Sequence, residues 1–381
     1  MIAWTQTLVI DSPAMSLFEP RINRDLAVQL GEEAVAISKA GRYVGPAGLV
    51  DISIEVKACV QATIHYTADH AHSSPAAGPH STTYEVTNET TLSAHVRHLA
   101  KGHKVVSLNF AAATNPGGGF LTGARAQEEY LCRSSALYLS IKDSPMYAYH
   151  RREGHKRYSD AMIYSPDVPV FRDDEHGLLP TPYLASFITS AAPLTKHLHP
   201  AELVHLPETL RLRIQKFLTV AQAHGHDSLV LGAWGCGAFG NNGNLVADLF
   251  HKALTQDFAG AFKEVTFAIV DTSTEGRFIR PFSRRFSPEA IGATKAEKTL
   301  TMADVIERTD LILRKHLDMP EMPYTDLSFR GHLKTYFFNC DAMIFDLEFE
   351  FRMPTMNEPD VSRMQTVRQL YEYVLRNGRE P

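Results

Sequence analysis

The strongest constraint on this chain is a glycine-rich stretch that lies between an apolar run and a helical segment. The apolar run covers residues 105–113, and Asn115 and Pro116 follow it closely. Next come Gly117, Gly118 and Gly119, and after seven further residues Gln127, Glu128 and Glu129 begin a segment with helical spacing. Adjacent glycines bury no side chain and lose much backbone entropy on folding, so they indicate positive φ or close approach of the backbone to a ligand. The stretch predicts a strand, a loop and a helix, with a phosphate or a sugar at the loop.

Repeated strand and helix signals predict an α/β domain. Buried strands are predicted at residues 105–113, 228–234 and 265–271, because most positions there are apolar, as in strands that are covered on both faces. Each lies next to a segment with helical spacing, and this alternation predicts three layers, with helices on both faces of a sheet. Ligands of such sheets bind beyond the carboxyl ends of the strands. Both glycine-rich loops of this chain fall there.

Local signals predict further elements. Residues 22–40 have apolar side chains at helical spacing before Gly41, so they predict a packing helix, and residues 91–100 predict a helix that Thr90 or Thr91 caps. Residues 50–65 begin with alternating apolar side chains and predict a strand. The segment 159–171 contains two prolines, which are unfavourable within a central strand, so we interpret it as a rigid connector with a short strand.

The second glycine-rich loop spans residues 232–242, with the sequence GAWGCGAFGNN, and precedes a helix. Its glycines let successive amides converge on an anion, to which the helix N-terminus adds about half a positive charge. A diphosphate fits this arrangement. The loop lacks the Lys-Ser or Lys-Thr of a Walker loop and the GxGxxG pattern with a later acidic residue. A dinucleotide redox fold is therefore disfavoured.

Composition limits the partners and the compartment. The net charge of −5 and the pI near 6.4 argue against binding of duplex nucleic acid through a broad positive field. The four cysteines form no CxxC pair, which indicates a reducing compartment, the cytoplasm or the nucleus. No apolar run approaches the length of a membrane span, and the first residues lack the pattern of a signal peptide. We expect no membrane partner.

A polar loop at residues 66–81 carries several potential metal ligands. It contains Asp69, His70, His72 and His80, and His65 directly precedes it. Their spacing matches no recognised metal motif, so we favour an ordinary loop over a metal site. No metal and no cofactor is predicted.

The pattern GGG-x7-QEE at residues 117–129 resembles the signature of the poly(ADP-ribose) glycohydrolases, and the surrounding NFAAATNPGGGF resembles the microbial form of that family. Similar phrases occur in the same order over roughly residues 21–286, from RDLAVQLGEEAVAISKAGRYV to VTFAIVDTS. The resemblance implies a macrodomain-like α/β/α core. It also implies an enzyme that cleaves ribose–ribose bonds of poly(ADP-ribose), releases ADP-ribose and reverses ADP-ribosylation, as in the response to DNA damage.

The resemblance further implies the roles of individual residues. Glu129 would be the catalytic acid, and Glu128 would hold the ribose hydroxyls and orient the scissile bond. Cleavage through an oxocarbenium-like state needs a proton on the leaving oxygen, which a carboxylic acid with a raised pKa can give. No separate general base is evident. The predicted substrate-binding residues are Asn115, Gly117, Gly118, Gly119, Gln127, Gly235, Cys236, Gly237, Ala238, Phe239, Val168 and Phe171.

Three of these residues are predicted to contact the ligand through apolar side chains. In the resembling family the aromatic of the second loop packs against the bound ADP-ribose, as Phe239 would here, although an ordinary core position also explains Phe239. Val168 and Phe171 would form walls of the adenosine pocket. A plain surface loop, with Phe171 in the core, explains the last two equally well. The chain departs from the family pattern at Thr122, where glycine or asparagine is common.

Two classes of function compete. One is an enzyme, and the other is a non-catalytic reader that binds ADP-ribose through a macrodomain. A reader needs the phosphate loops but no acid, so Gln127, Glu128 and Glu129 favour the enzyme. A hydrolase of single ADP-ribose units on protein or nucleobase binds the same half of the substrate, so the sequence does not separate it from a polymer hydrolase.

The chain is predicted to contain three regions. Residues 1–100 form a helical and β extension, residues 101–286 form the catalytic core, and residues 287–381 form an α+β appendage. Within the appendage, a helix that Thr301 and Asp304 cap is followed by an alternating strand at residues 345–352 and by a helix at residues 360–376. Two helices and one strand bury little apolar surface against one another. We therefore expect their apolar stripes to be buried against the catalytic domain.

Overall fold

The computed structural model of the chain describes residues 22–68, 75–274, 276–287, 301–317, 347, 350–351 and 366–378. The strands are β1 (Arg42–Gly45), β2 (Gly48–Asp51), β3 (Ile64–Tyr66), β4 (Thr83–Thr87), β5 (Val105–Phe110), β6 (Met162–Arg172), β7 (Leu178–Ser190), β8 (Ser228–Leu231) and β9 (Glu264–Ala268). The first ten helices are α1 (Arg24–Ala40), α2 (Ser53–Ala62), α3 (Thr91–Ala100), α4 (Gln127–Ser134), α5 (Leu137–Ile141), α6 (Pro145–Glu153), α7 (Pro200–Leu203), α8 (Leu206–Ala223), α9 (Gly243–Lys252) and α10 (Arg280–Arg285).

Seven strands form one mixed sheet in the order β3-β6-β7-β5-β8-β9-β4. The five strands from β7 to β4 are parallel to their neighbours, whereas β6 pairs antiparallel with both β3 and β7. One hydrophobic cluster joins α1, α2, α4 and α5 to β6 and β7, and another joins α3 to β5, β8 and β9. The predicted α/β class with helices packed on a central sheet is confirmed. Because β3, β4 and α3 precede residue 101 and belong to this arrangement, the sheet has no division at residue 100.

The first predicted helix is confirmed as α1. The side chain of Asn23 accepts a hydrogen bond from the Leu26 amide at its start, and Gly41 ends it with φ of 66°. The strands predicted at residues 105–113, 228–234 and 265–271 are confirmed as β5, β8 and β9, each ending earlier than predicted. Helix α3 is also confirmed, with Thr90 as its cap.

The strand predicted at residues 50–65 is wrong over most of its length, because residues 53–62 form helix α2. Ile52 and Val56 are buried, but Ile54 between them is 77% exposed. The alternation was therefore coincidental, and the buried pair is spaced by four residues, as on one face of a helix. Only Gly48–Asp51 and Ile64–Tyr66 at the ends are strands.

The connector predicted at residues 159–171 is also wrong, because β6 is an eleven-residue strand inside the sheet. Its register with β7 shifts between Ser165 and Val168, which places Pro166 in a bulge. Strand β3 pairs only with residues 162–164 of β6, so Pro169 has no strand on that side that needs its missing N–H. Its carbonyl instead accepts a hydrogen bond from the Ala136 amide at 3.0 Å.

The chain divides into two compact units, residues 1–292 and 293–381. In the second unit, helix Met302–Leu317 packs against helix Val367–Asn377, and the Tyr371 hydroxyl donates a hydrogen bond to Asp310. The last helix is confirmed over Val367–Asn377, and residues 360–365 of its predicted range lie outside the described residues. The predicted strand at residues 345–352 is wrong where the structure describes it, since Leu347 and Glu350 are helical. Residues 318–346, and Asp69, His70 and His72 of the polar loop, lie outside the described residues.

No described helix combines the length and the apolar character that a membrane crossing requires.

Candidate active site

A cavity of about 440 Å³ opens at the carboxyl ends of the parallel strands. Its wall is formed mainly by residues that directly follow β4, β5, β8 and β9, and by the start of α4. This is the edge of the sheet where the sequence predicted the ligand. The predicted site residues in the wall are Gln127, Glu128, Glu129, Gly235, Gly237, Ala238 and Phe239.

The three glycines of the first loop adapt the backbone to the two glutamates. Gly117 and Gly118 have φ of 71° and 60°. A Cβ on Gly118 would overlap the Glu129 oxygen Oε1 and would lie 3.2 Å from Oε2 of Glu128. The amide of Gly119 donates a hydrogen bond of 2.9 Å to Oε1 of Glu129. The prediction of positive φ is confirmed for Gly117 and Gly118, and the groups that lie close to Gly118 are the carboxylates of Glu128 and Glu129.

Glu128 is a buried carboxyl whose two oxygens both accept hydrogen bonds. The Ala112 amide donates to Oε2 at 2.6 Å, and the side chain of Asn109 contacts Oε1 at 3.4 Å. Burial raises the pKa of Glu128 to about 8, and the charge of Glu129 also raises it, although the Ala112 bond opposes the shift. Glu128 therefore holds its proton near neutral pH.

Glu129 makes fewer contacts with the protein. Its side chain is 8% exposed, and Oε1 accepts the bond from Gly119. Among the described residues, no donor is recorded for Oε2. One carboxyl oxygen is thus left to face the contents of the cavity.

Gln127 binds the protein rather than presenting its amide to the cavity. Its oxygen accepts a hydrogen bond from the Phe110 amide at 2.9 Å, and its nitrogen donates to the Leu108 carbonyl at 2.9 Å and to the Thr91 hydroxyl at 3.0 Å. These bonds attach the first residue of α4 to the end of β5. In this arrangement Gln127 positions the two glutamates, and its predicted role in substrate binding stays a prediction.

The second glycine-rich loop is held by its own side chains. Trp234 is buried, and its Nε1 donates to the Ser190 carbonyl at 3.1 Å, while Asn241 Nδ2 donates to the carbonyls of Pro193 and Gly235. Gly235 has φ of 73° and leaves no room for a Cβ beside Ala192. These contacts fix the loop before any ligand binds.

Three consecutive amides of this loop remain available to a ligand. Within the described part of the chain, no acceptor is recorded for the backbone N–H groups of Gly237, Ala238 and Phe239, and all three residues line the cavity. Such a run of free amides is suited to an anion. The Thr195 hydroxyl donates a hydrogen bond of 2.8 Å to the Phe239 carbonyl, and this bond holds the last of the three residues in place.

Proteins of known family resemble this chain in both sequence and structure. Residues 31–173 match the family model of the microbial-type PARG, catalytic domain. A crystal structure of poly(ADP-ribose) glycohydrolase from Thermomonospora curvata is 44% identical, covers 69% of this chain and 100% of its own, and has a TM-score of 0.65. This chain belongs to the microbial-type poly(ADP-ribose) glycohydrolase family.

Other members of the family have been solved with ligands. The Thermomonospora curvata enzyme bound to the inhibitor ADP-HPD is 42% identical, covers 69% of this chain and 100% of its own, and has a TM-score of 0.64. The Deinococcus radiodurans enzyme in complex with ADP-ribose is 39% identical, covers 62% of this chain and 99% of its own, and has a TM-score of 0.57. Among curated proteins, none matches this chain.

Seven residues that the sequence assigned to the substrate do not line the cavity of this glycohydrolase: the three glycines of the first loop, and Asn115, Val168, Phe171 and Cys236. Val168 and Phe171 are fully buried in the hydrophobic cluster that α1 and α2 share with β6, so their predicted role as walls of an adenosine pocket is corrected. Cys236 is buried, and Asn115 donates a hydrogen bond to the Gly118 carbonyl. Asn115 therefore shapes the glycine loop.

Sequence reasoning missed a carboxylate that supports the wall of the cavity. Asp174, between β6 and β7, accepts hydrogen bonds from Thr90 at 2.9 Å, from Ser93 at 2.6 Å and from the Tyr130 hydroxyl. Thr90 and Tyr130 line the cavity, and Tyr130 follows Glu129 in α4. No pattern in the sequence marks Asp174, because its partners lie 44 to 84 positions away.

One group of potential metal ligands lies apart from the cavity. Among the described residues, ligand atoms of His98, His103 and Glu264 lie within 4.8 Å of one another. The Lys101 ammonium is 2.6 Å from Oε1 of Glu264 and already supplies a cation. We therefore infer no metal role for this group.

Proposed function

We propose that this chain hydrolyses the ribose–ribose bonds of poly(ADP-ribose) and releases ADP-ribose. The observation that carries the proposal is the pair of buried carboxyls, Glu128 and Glu129, in the wall of a cavity that also offers free loop amides. A protein that only binds ADP-ribose needs the amides but gains nothing from two buried acids, whose desolvation costs free energy. The relatives that bind ADP-ribose and ADP-HPD support the same ligand class.

The loop after β8 would bind the diphosphate of ADP-ribose. The amides of Gly237, Ala238 and Phe239 are free to donate to phosphate oxygens, and α9 begins four residues later with its positive end. The ring of Phe239 lies 6.4 Å from that of Tyr158 and would pack against the nucleotide.

Glu129 would act as the general acid. Its Oε2 is not engaged by the described residues, so it can carry the proton to the leaving 2′-oxygen while the C1″–O bond breaks. Water then forms a bond to C1″ and returns a proton to the carboxylate, which restores the acid.

Glu128 would hold and orient the ribose rather than donate the proton. Both of its oxygens are tied to the protein, and a proton on one of them lets the carboxyl donate a hydrogen bond to a ribose hydroxyl. Either this carboxyl or a substrate phosphate would orient the attacking water.

The decisive experiment measures ADP-ribose release from long polymer and from singly modified protein or nucleobase by wild-type protein, Glu129→Gln and Glu128→Gln. We expect polymer turnover by the wild type, ADP-ribose affinity near wild type in Glu129→Gln, and a loss of turnover of roughly 10²- to 10⁴-fold in that variant. Release from singly modified targets alone would identify a mono-ADP-ribosyl hydrolase. Binding without release of either kind would identify a reader.

A further inference from the structure

The wall of the cavity contains few acidic or basic side chains, and most of them are carboxyls. Besides Glu128 and Glu129, the lining residues include Glu89, whose Oε1 lies 2.7 Å from the Arg97 guanidinium and is neutralised there. Among the lining residues, Arg125 is the single cation. A polyanion that enters this cavity is stabilised by a positive charge in its wall.

The side chain of Arg125 is held in place but is not neutralised. One nitrogen, Nη1, donates a hydrogen bond of 2.8 Å to the Ile22 carbonyl, and Ile22 is buried. In the part of the chain that the structure describes, no carboxylate pairs with Arg125, and no acceptor is recorded for its Nε or Nη2. The guanidinium is therefore exposed at the cavity with two N–H-bearing atoms available for a further ligand.

Arg125 comes from a different part of the wall than the free amides. The amides belong to the loop after β8, whereas Arg125 lies two residues before α4 and is bonded to the segment that precedes α1. In the proposed function, the amides of the loop after β8 bind the one diphosphate of the ADP-ribose unit that is released. A second anion site remains, next to the start of the helix that carries Glu129.

We propose that Arg125 binds a phosphate of the ADP-ribose unit on the leaving side of the scissile bond, and thereby favours polymer over single ADP-ribose units. This inference rests on the proposed glycohydrolase function. In the polymer, the leaving oxygen belongs to a ribose that carries a diphosphate on its 5′-carbon, so that charge stays within one sugar of the broken bond. A single unit attached to a protein side chain has no phosphate on its leaving side.

The test compares Arg125→Ala and Arg125→Lys with the matched control Arg24→Ala. Arg24 Nε donates to the Thr122 carbonyl at 3.1 Å, so it links the start of α1 to the same loop, and its removal changes the charge equally. Arg24 is not a lining residue. Each variant of the full chain is assayed on long polymer at several salt concentrations, on singly modified protein, and for affinity to free ADP-ribose.

For Arg125→Ala we expect kcat/KM on polymer to fall about ten- to a hundredfold and to depend less on salt. ADP-ribose affinity and turnover of singly modified protein should stay near wild type, provided wild-type protein releases the single unit. Arg125→Lys should keep the salt dependence, because the charge remains. Arg24→Ala should behave as wild type.

Three results would overturn the inference. Unchanged polymer kinetics in Arg125→Ala would mean that no phosphate is bound there. An equal loss of ADP-ribose affinity would place Arg125 on the first unit, and an equal loss in Arg24→Ala would mean that both arginines act by holding the loop. A wild-type protein that binds polymer but never cleaves it would refute the proposed function itself, whatever the variants do.

Discussion

Gly118 lies where any side chain would overlap the carboxylate of Glu129, so this single position controls where the proposed acid lies. Its φ of 60° adds a conformational requirement to the steric one. The two demands can be separated, because Gly102 has φ of 76° but no neighbouring atom within 4 Å of the place where a Cβ would lie.

We expect Gly118→Ala to lower polymer hydrolysis at least about a hundredfold. The new methyl group would push the carboxyl of Glu129 aside, and even a small displacement would move its proton away from the leaving oxygen. Gly102→Ala should cost about 1–2 kcal/mol of unfolding free energy through positive φ alone, and should leave kcat unchanged. Steady-state kinetics and urea denaturation of both variants provide the check. Equal activity losses would show that backbone strain, and not the carboxylate, matters.

Gly237 offers a second prediction at the same scale. It has no positive φ, and a Cβ there meets nothing within 4 Å, so the side chain of Gly237→Val would project into open space at the cavity. The variant should fold with a Tm near wild type and bind ADP-ribose at least about tenfold more weakly.

Gly235→Ala is the contrasting variant, because its Cβ would overlap Ala192 and Asn241 within the protein. It should lower Tm by several degrees. Calorimetry with free ADP-ribose and thermal unfolding separate the two effects. Undiminished affinity in Gly237→Val would rule out the loop as the diphosphate site.

At the scale of elements, helix α3 carries two histidines that are completely buried. His95 Nδ1 lies 2.7 Å from the Ser107 hydroxyl of β5, and His98 Nε2 lies 2.8 Å from the Thr266 hydroxyl of β9. Burial lowers the pKa of His95 to about 3 and that of His98 to about 4. Both are therefore neutral in the folded state at pH values where the unfolded chain takes up protons.

This difference predicts acid sensitivity. A depressed folded-state pKa gives stability that is present above the unfolded value of 6.5 and is lost as the pH falls toward 4, because the unfolded chain then binds more protons. The urea concentration at the midpoint of unfolding should be lower at pH 5 than at pH 7.5. The drop should be smaller in His98→Gln, whereas exposed His197→Gln should show the wild-type drop. An unchanged drop in His98→Gln would refute the assignment.

The sequence predicted elements well where one signal dominated. Helix α1 has both caps and a buried stripe, and β5 is mostly apolar and buried on both faces, so local pattern and final burial agree. Predictions failed where burial from distant elements overrode the local pattern. Helix α2 begins with a chance alternation, and β6 tolerates Pro169 because β3 is too short to pair beside it. A single sequence does not show the length of a neighbouring strand.

The candidate site shows the same limit at the scale of the whole molecule. The glycine loops and the two glutamates were predicted because each is a contiguous motif at a strand end. Gln127 lines the cavity, but its hydrogen bonds to β5 depend on tertiary structure, which the motif does not show. Val168 and Phe171 were misassigned because apolar residues in a wall and in a core look alike in sequence.

Every residue that lines the cavity lies in the unit of residues 1–292, which makes removal of the second unit informative. A chain that ends at Gly292 should retain ADP-ribose affinity and polymer hydrolysis. The sequence further predicts reduced solubility or a Tm lower by roughly a few degrees, because the truncation would bare the apolar surface that the removed stripes are expected to cover. An unchanged Tm would mark residues 293–381 as an independent module, and full stability with lost activity would place part of the substrate site there.

The hydrogen bonds of Gln127 explain why a fixed number of residues, the seven between Gly119 and Gln127, separates the glycines from the glutamates. Strand β8 pairs with β5 only as far as Ser107. Beyond that point the side-chain amide of Gln127 donates to the Leu108 carbonyl and accepts from the Phe110 amide, as the backbone of a residue in a parallel strand would. The far end of the intervening segment is tied by Gly119 to Glu129. Both ends of this segment are held by hydrogen bonds, at Gly119 and at Gln127. An inserted residue would therefore break one of these sets of bonds even if it touched neither the substrate nor Glu129.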